Sequence, residues 1–285
     1  APVEVVRAIG SMGTNLNGIA DWSTEFPFLN LVKQSRWWTP GDLADFDFDD
    51  AGWLHSLAPG QELELIFLTV GELPQPHTRW VVRWEGTGSM DYVWGTQLVS
   101  GGDHRDVIDT SSGQGTLRIT ATEPSDPIRN ITVVPEGYED EYDAGRIFDP
   151  VWLEKMRGFR AVRFMDWMAT NGSLQSSWAE RPQVTDVSWM PKGVPVEIMV
   201  ALANELGADP WFNMPHLSDS QYITSFATYV RDHLATNLKA YVEYSNEVWN
   251  FGFAQAQYAI EQAKTVLSQD GGTGWVQYNG MRAAQ

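Results

Sequence analysis

The sequence predicts an α/β protein that carries an inserted all-β module, and three observations lead there. From residue 139 onward, amphipathic helical runs alternate with short β-branched and aromatic runs, the pattern of strands joined by crossover helices. Between residues 62 and 134, five alternating runs are separated by Gly, Pro, Ser and Asp at the spacing of a β-sandwich. The chain has 285 residues, 43% of them hydrophobic, enough to bury the core of one large domain or two ordinary ones.

Taken in order, residues 3–9 and 12–20 read as strands, the second closed by Asp21-Trp22-Ser23-Thr24-Glu25. Asp42, Asp45, Asp47, Asp49 and Asp50 then crowd before Gly52, and their alternating oxygens suggest a calcium loop. Asp50 stands where a helix-loop-helix calcium site requires Gly, and Ser56 where it requires a bidentate Glu, so a solvated acidic loop is expected. The β-runs follow at 62–70, 79–85, 91–99, 116–121 and 129–134. Trp80, Trp84 and Trp94 are candidate platforms of a carbohydrate-binding insertion, although Trp80 and Trp84 share one strand face and read equally well as core.

An acidic linker at 136–143 leads into a helix at 150–159, with Asp149 as its cap and Pro150 in its first turn. A strand at 161–167 and a helix at 192–206, stopped by Gly207, come next. The strand at 209–216 exits at His216, and a helix at 218–234 is capped by Ser218 or Asp219. Residues 240–245 alternate as a strand, helices at 253–267 and 275–285 follow, and Asp270-Gly-Gly-Thr-Gly separates them. Residues 13–16, 162–164, 211–213 and 241–245 are predicted to be adjacent parallel strands, because each except the first is preceded by a helix of crossover length.

Composition narrows the function. A net charge of −18 argues against nucleic acid and anionic membrane surfaces, whose phosphates need an excess of Lys and Arg. Fourteen Trp, twelve Phe and nine Tyr supply faces that fill cores or stack on sugars. Without cysteine there is no disulfide, thiol nucleophile or Cys-based metal site. No apolar run reaches the ~20 residues needed to cross a bilayer. The opening Ala1-Pro2 lacks a basic, apolar leader, which fits a secretory signal already removed and a secreted or periplasmic protein. Asn130 and Asn171 stand in glycosylation sequons by pattern.

The motif of most interest is Tyr241-Val242-Glu243-Tyr244-Ser245-Asn246-Glu247-Val248-Trp249-Asn250, where a strand ends in an amide, a carboxylate and an indole. One reading makes Asn246 the cap of the next helix, with Glu247 at its positive amino end. The other places the pair at the mouth of a sheet, where rigid strand ends hold catalytic groups. Glu-x-x-x-Glu with Asn before the second Glu resembles the fourth-strand motif of clan A of the retaining glycoside hydrolases.

That resemblance covers residues 139–285 and 10–25. It implies a (β/α)8 TIM-barrel type fold with its first four strands present and a β-sandwich-like module inserted between strands one and two. The divisions would be 1–37 for the first barrel strand and its loop, 38–138 for the β-rich module, and 139–285 for barrel units two to four. Glu247 would be the general acid/base and Asn246 the amide on the sugar 2-hydroxyl. Arg163, in its Val-Arg-aromatic setting, would face the nucleophile, and His216 would line the sugar site. Asn15, Trp22 and Glu25 would stand near the mouth, and Tyr244, Trp167, Trp178, Trp189 and Trp249 are candidates for lining the cleft. Burial against Trp249 and Tyr244, beside a negative nucleophile, would raise the pKa of Glu247.

The clan's nucleophile, a Glu on the seventh strand, has no counterpart in these residues, which suggests a fragment completed by another segment or chain. The expected function is retaining endo-hydrolysis of a β-linked polysaccharide, cellulose-like β-glucan foremost, through a glycosyl-enzyme with carboxyl groups about 5–5.5 Å apart. No metal or other cofactor is called for. The alternative is a non-catalytic carbohydrate-binding protein with the β-module as binder.

Overall fold

The computed structural model describes residues 2–285. The chain divides into two compact units. One comprises the residues up to Gly18 together with Met156–Val184 and Lys192–Gln285; the other comprises Ile19–Lys155 and Thr185–Pro191.

Along the chain, β1 (Gly13–Asn15) is followed by the strands of the second unit. These are β2 (Arg36–Trp38), β3 (Asp47–Phe48), β4 (Leu54–Ser56), β5 (Leu63–Thr69), β6 (Arg79–Glu85), β7 (Gly88–Val93), β8 (Gln97–Gly102), β9 (Arg105–Asp109), β10 (Gln114–Thr122) and β11 (Arg129–Pro135). Helices α1 (Glu139–Asp143) and α2 (Pro150–Met156) lead to β12 (Ala161–Arg163). Then come α3 (Val196–Leu206), β13 (Asp209–Met214), α4 (Ser220–His233), β14 (Tyr241–Tyr244), α5 (Ala254–Leu267) and α6 (Gly274–Ala283).

The second unit is antiparallel, with sheets ordered β2-β5-β10-β7 and β11-β6-β9-β8 and a separate β3-β4 pair. Leu65, Phe67, Leu117 and Ile119 of one sheet share a buried cluster with Trp80, Val82, Ile108 and Val133 of the other. Alternate residues of each strand point inward, as a sandwich requires. Trp80 is therefore core, 1% exposed, with its indole N–H donated to Thr110 Oγ1 at 2.9 Å. Trp84 is half-buried and stacks on His104, ring centroids 5.5 Å apart.

Several strands differ from the sequence expectation. The run 91–99 is two strands, because Trp94 (φ 57°) and Gly95 (φ 98°) turn the chain between β7 and β8. The acidic stretch 136–143 contains α1, whose Glu139, Asp140 and Glu141 lie at the positive end of the helix dipole. In the acidic loop, Asp42 accepts from Ala44 N and Asp49 Oδ1 from Ala51 N and Trp53 N, so these carboxylates close turns.

The first unit is built on one sheet ordered β1-β12-β13-β14, parallel throughout. This arrangement agrees with the expected pairing of the four segments. Val162, Phe164 and Phe212, each 0% exposed, occupy its helix-covered face. Phe212 stacks on Phe164 at 5.6 Å and meets Phe226 of α4 edge-on at 5.0 Å. Truncating such a side chain typically costs about 3–5 kcal/mol. Asp219 caps α4 by accepting from Tyr222 N at 2.6 Å. Gly207 (φ 62°) ends α3 in the left-handed region, where a Cβ would also meet Val6 O at 1.9 Å.

Residues 3–9, expected as a strand, make no ladder. Their backbone is held instead by the Asn237 amide on Val5 and by the Gly207 carbonyl on Ala8 N, and Arg7 grips Asp209 with 2.7 Å contacts to both oxygens. Within the described residues β1 pairs only with β12 and β14 only with β13, so the sheet is open, with four strands. On its β14 side, Val242 is 66% exposed beside an apolar groove of about 580 Å³ that Phe212, Met214, Phe226, Val230 and Leu234 also line.

Candidate active site at the strand ends

Strand register brings the polar residues of the first unit together. Asn15 lies opposite Arg163, Arg163 opposite Trp211, and Asn213 opposite Glu243. Because strand side chains alternate, these residues share the face opposite Val162 and Phe212. Arg163 is the hub. Its Nε and Nη2 donate to Glu243 Oε2 at 3.2 and 2.7 Å, its Nη2 also to Asn246 Oδ1 at 3.0 Å, and its Nη1 to Asn15 Oδ1 at 3.3 Å.

Glu243 Oε2 also accepts from Trp211 Nε1 at 3.1 Å and from Asn213 Nδ2 at 2.8 Å. Among the described residues one carboxylate oxygen thus collects all these donors, and none reaches Oε1. Around this pair, Asn15 donates to Asp166 at 3.1 Å, and the Arg163 guanidinium lies 5.4 Å from the Trp211 ring.

Asn246 is 5% exposed. Its Nδ2 donates to Asn171 Oδ1 at 3.0 Å, and Gln255 Nε2 joins both Asn171 Oδ1 and the Asn246 carbonyl at 2.8 and 2.9 Å. Since α5 begins at Ala254 with Phe253 as its N-cap, the capping role for Asn246 does not hold. The amide instead belongs to the Arg163 cluster, and among the described residues its NH2 group, which carries two hydrogens, meets one acceptor, Asn171 Oδ1.

Glu247 follows on a strained turn. Ser245 (φ 55°) and Glu247 (φ 43°) both adopt left-handed backbone on either side of Asn246, an arrangement that non-glycine residues keep only where the surroundings enforce it. Glu247 is half-buried, and its Oε2 accepts from Asn250 Nδ2 at 3.3 Å. Buried atoms without partners among the described residues lie on the same turn, at Ser245 Oγ, and on the neighbouring strand, at Asn213 Oδ1.

Neither family models, nor curated proteins, nor solved structures match this chain.

The other expected residues are placed as follows. His216 is 4% exposed, its ring edge-on to Tyr258 at 5.3 Å and its Nδ1 buried without a partner; burial lowers its pKa and favours the neutral ring. Tyr244 is packed with Val248, Ala259, Ala263 and Tyr278 and donates its hydroxyl to the His216 carbonyl at 3.0 Å. Trp249 stands 61% exposed, so Tyr244 faces the core and Trp249 the solvent rather than jointly enclosing Glu247.

Trp167, expected at the cleft, is 1% exposed and packs on Phe164 at 5.7 Å; it is core. Trp178 is half-buried, with the Arg181 guanidinium 4.2 Å from its ring and Tyr222 edge-on. Trp22, Glu25 and Trp189 belong to the second unit. There Arg36 lies 5.7 Å from the Trp22 ring, Glu25 accepts from Trp152 Nε1 at 3.4 Å, and Trp189, 2% exposed, meets Phe28 edge-on.

Sequence reasoning missed Trp211, Asn213, Asp166, Asn171 and Gln255. Trp211 and Asn213 carried a usable signal, the same strand parity as Glu243 across a parallel register. Asn171 stood out only as a sequon, yet its side-chain oxygen is shared between Asn246 and Gln255.

Proposed function

We propose that the parallel-sheet unit is one half of a (β/α)8 barrel and that its strand ends form the acid/base side of a secreted, retaining endo-glycosidase acting on a neutral β-linked polysaccharide, a cellulose-like β-glucan foremost. The observation that carries the proposal is the Arg163 guanidinium, which from the end of β12 joins Asn15 at the end of β1 to Glu243 and Asn246 at the end of β14. A structural ion pair needs only two partners. This one orients an amide that stands next to a carboxylate on an enforced turn, which is how an active site holds groups in reacting positions.

In the proposed reaction, a carboxylate supplied by the complementary half attacks the anomeric carbon while Glu247 protonates the departing glycosidic oxygen. Glu247 then takes a proton from water, which displaces the enzyme carboxylate and returns the sugar with its original configuration. Asn246 offers the second N–H of its amide to the sugar hydroxyl beside the reacting carbon. Trp211, 38% exposed on the same sheet face, offers a stacking surface. The open β14 edge and the apolar groove beside Val242 are where a fifth strand and its helix would seat.

The test is release of reducing ends from β-glucan, xylan and mannan by the full-length protein, with Glu247→Ala and Asn246→Ala beside it. Loss of hydrolysis in Glu247→Ala, with azide restoring turnover of substrates bearing good leaving groups, supports the assignment. Full activity in Glu247→Ala ends it.

A further inference from the structure

A second built site lies on the outer face of the β2-β5-β10-β7 sheet. Register sets Trp38 opposite Glu64, Glu64 opposite Arg118 and Arg118 opposite Asp91; two residues along, Arg36, Ile66, Thr116 and Val93 form a parallel row. The intervening Trp37, Leu65, Leu117 and Tyr92 pack with the sandwich core, so both rows face away from it. Outer-face residues are ordinarily solvated. Here Glu64 is 4% and Thr116 1% exposed.

The β7–β8 turn contributes to that burial. Thr96 N donates to Val93 O at 3.1 Å, and the two central residues, Trp94 and Gly95, both have positive φ. Such turns favour Asn, Asp or Gly at the first central position, and a tryptophan there is strained. Burial of the indole does not offset that strain, because Trp94 remains 60% exposed. What the turn achieves is placement. Trp94 Nε1 donates to Glu64 Oε2 at 2.8 Å, while Glu64 Oε1 accepts Arg118 Nε and Nη2 at 3.1 and 2.7 Å, so the indole is fixed by an anchored carboxylate.

Beside it opens a pocket of about 310 Å³ whose lining includes Trp94, Trp38, Arg36, Glu64, Gln114 and Thr116. Its charges are already matched. Arg36 pairs with Asp21 at 2.7 Å, and Arg118 with Glu64 at 2.7 Å and Glu62 at 3.2 Å. Arg36 also lies 5.7 Å from the Trp22 ring, which is 57% exposed. A held indole ringed by amide, hydroxyl and paired charge suits an uncharged ligand with a flat apolar face and hydroxyl edges. We propose that this pocket binds pyranose rings of a neutral oligosaccharide, as a site that requires no hydrolysis.

The test is titration of the protein with cellohexaose, laminarihexaose, xylohexaose and mannohexaose, followed by calorimetry in a Glu247→Ala background so that the sugars stay intact. At least one should bind saturably. Trp94→Ala should weaken it at least tenfold, Trp94→Phe and Gln114→Ala a few-fold, and Asn246→Ala should leave it unchanged. Circular dichroism and the melting temperature check folding, and if Trp94→Ala fails to fold, Trp94→Phe and Gln114→Ala decide. The proposal is overturned if none of the four sugars binds at millimolar concentration, if folded Trp94 and Gln114 variants bind normally, or if Asn246→Ala abolishes all binding. Hydrolysis by the Glu247 protein is read separately, so this site can fail while the hydrolase reading stands, and the reverse.

Discussion

Each unit contains an Arg–Glu–Trp triad, and the two differ in how the carboxylate is used. In the sandwich, Glu64 commits both oxygens, one to Trp94 and one to Arg118. At the strand ends, Glu243 crowds Arg163, Trp211 and Asn213 onto Oε2, and among the described residues Oε1 meets no donor. A carboxylate satisfied on both sides can only position its neighbours. One loaded on a single side keeps an acceptor for something that arrives.

The largest expected effect separates chemistry from positioning. Glu247→Ala should cut hydrolysis of unactivated polysaccharide by about 10³-fold, within the usual contribution of general acid–base help, whereas Glu64→Gln should alter the rate constant little. Equal losses in initial-rate assays would erase the distinction between the two regions. Next in size, Arg163→Ala strips the guanidinium from Glu243, Asn246 and Asn15 together and should cost about 2–3 kcal/mol in urea unfolding. Arg118→Ala leaves Glu64 its indole donor and should cost about half as much. The reverse order would show that the sandwich triad is the more tightly coupled.

A pH series sharpens the contrast from the sandwich side. Burial lowers the Lys33 pKa from 10.5 to about 8, although Asp186 opposes the shift, and its Nζ donates to the Asp186 carbonyl at 2.6 Å. A lowered amine pKa means the folded state binds the proton more weakly than the unfolded chain. The penalty is therefore full below pH 8 and relieved as pH rises from about 8 to 10.5. Relative to Lys33→Met, the wild type should gain on the order of 3 kcal/mol across that window, measured as the change in unfolding midpoint. The smallest effect tests backbone strain: Ser245→Gly, at φ 55°, should stabilise by about 0.5–1 kcal/mol, and Glu247→Gly, at φ 43°, should raise the melting temperature while abolishing activity.

Much of the parallel-sheet unit was legible in the sequence because long amphipathic helices and strand-to-helix alternation are local signals. Helices α3, α4 and α5 start within about four residues of their expected positions, and β12, β13 and β14 fall inside the expected runs. The second unit was less legible. Strands β2, β3 and β4 have only two or three residues, too few for alternation to register, and the Trp94-Gly95 turn lacks the usual Asn or Asp. At the site, Arg163, Asn15 and Asn246 were readable from their places at strand ends. Their bonding to Glu243, Asn213 and Trp211 is a property of register, and the supports from Asn171 and Gln255 come from residues 75 and nine positions away in sequence.

The open side of β14 has a consequence for handling the protein. A strand paired on one side only, with Val242 at its centre exposed and an apolar groove beside it, is a template for any extended segment that reaches it. Self-association through that edge follows mass action, so the apparent melting temperature and light scattering should depend on protein concentration. A charged residue at Val242 should reduce that dependence without touching the strand-end cluster, since Val242 points to the opposite face of the sheet from Glu243.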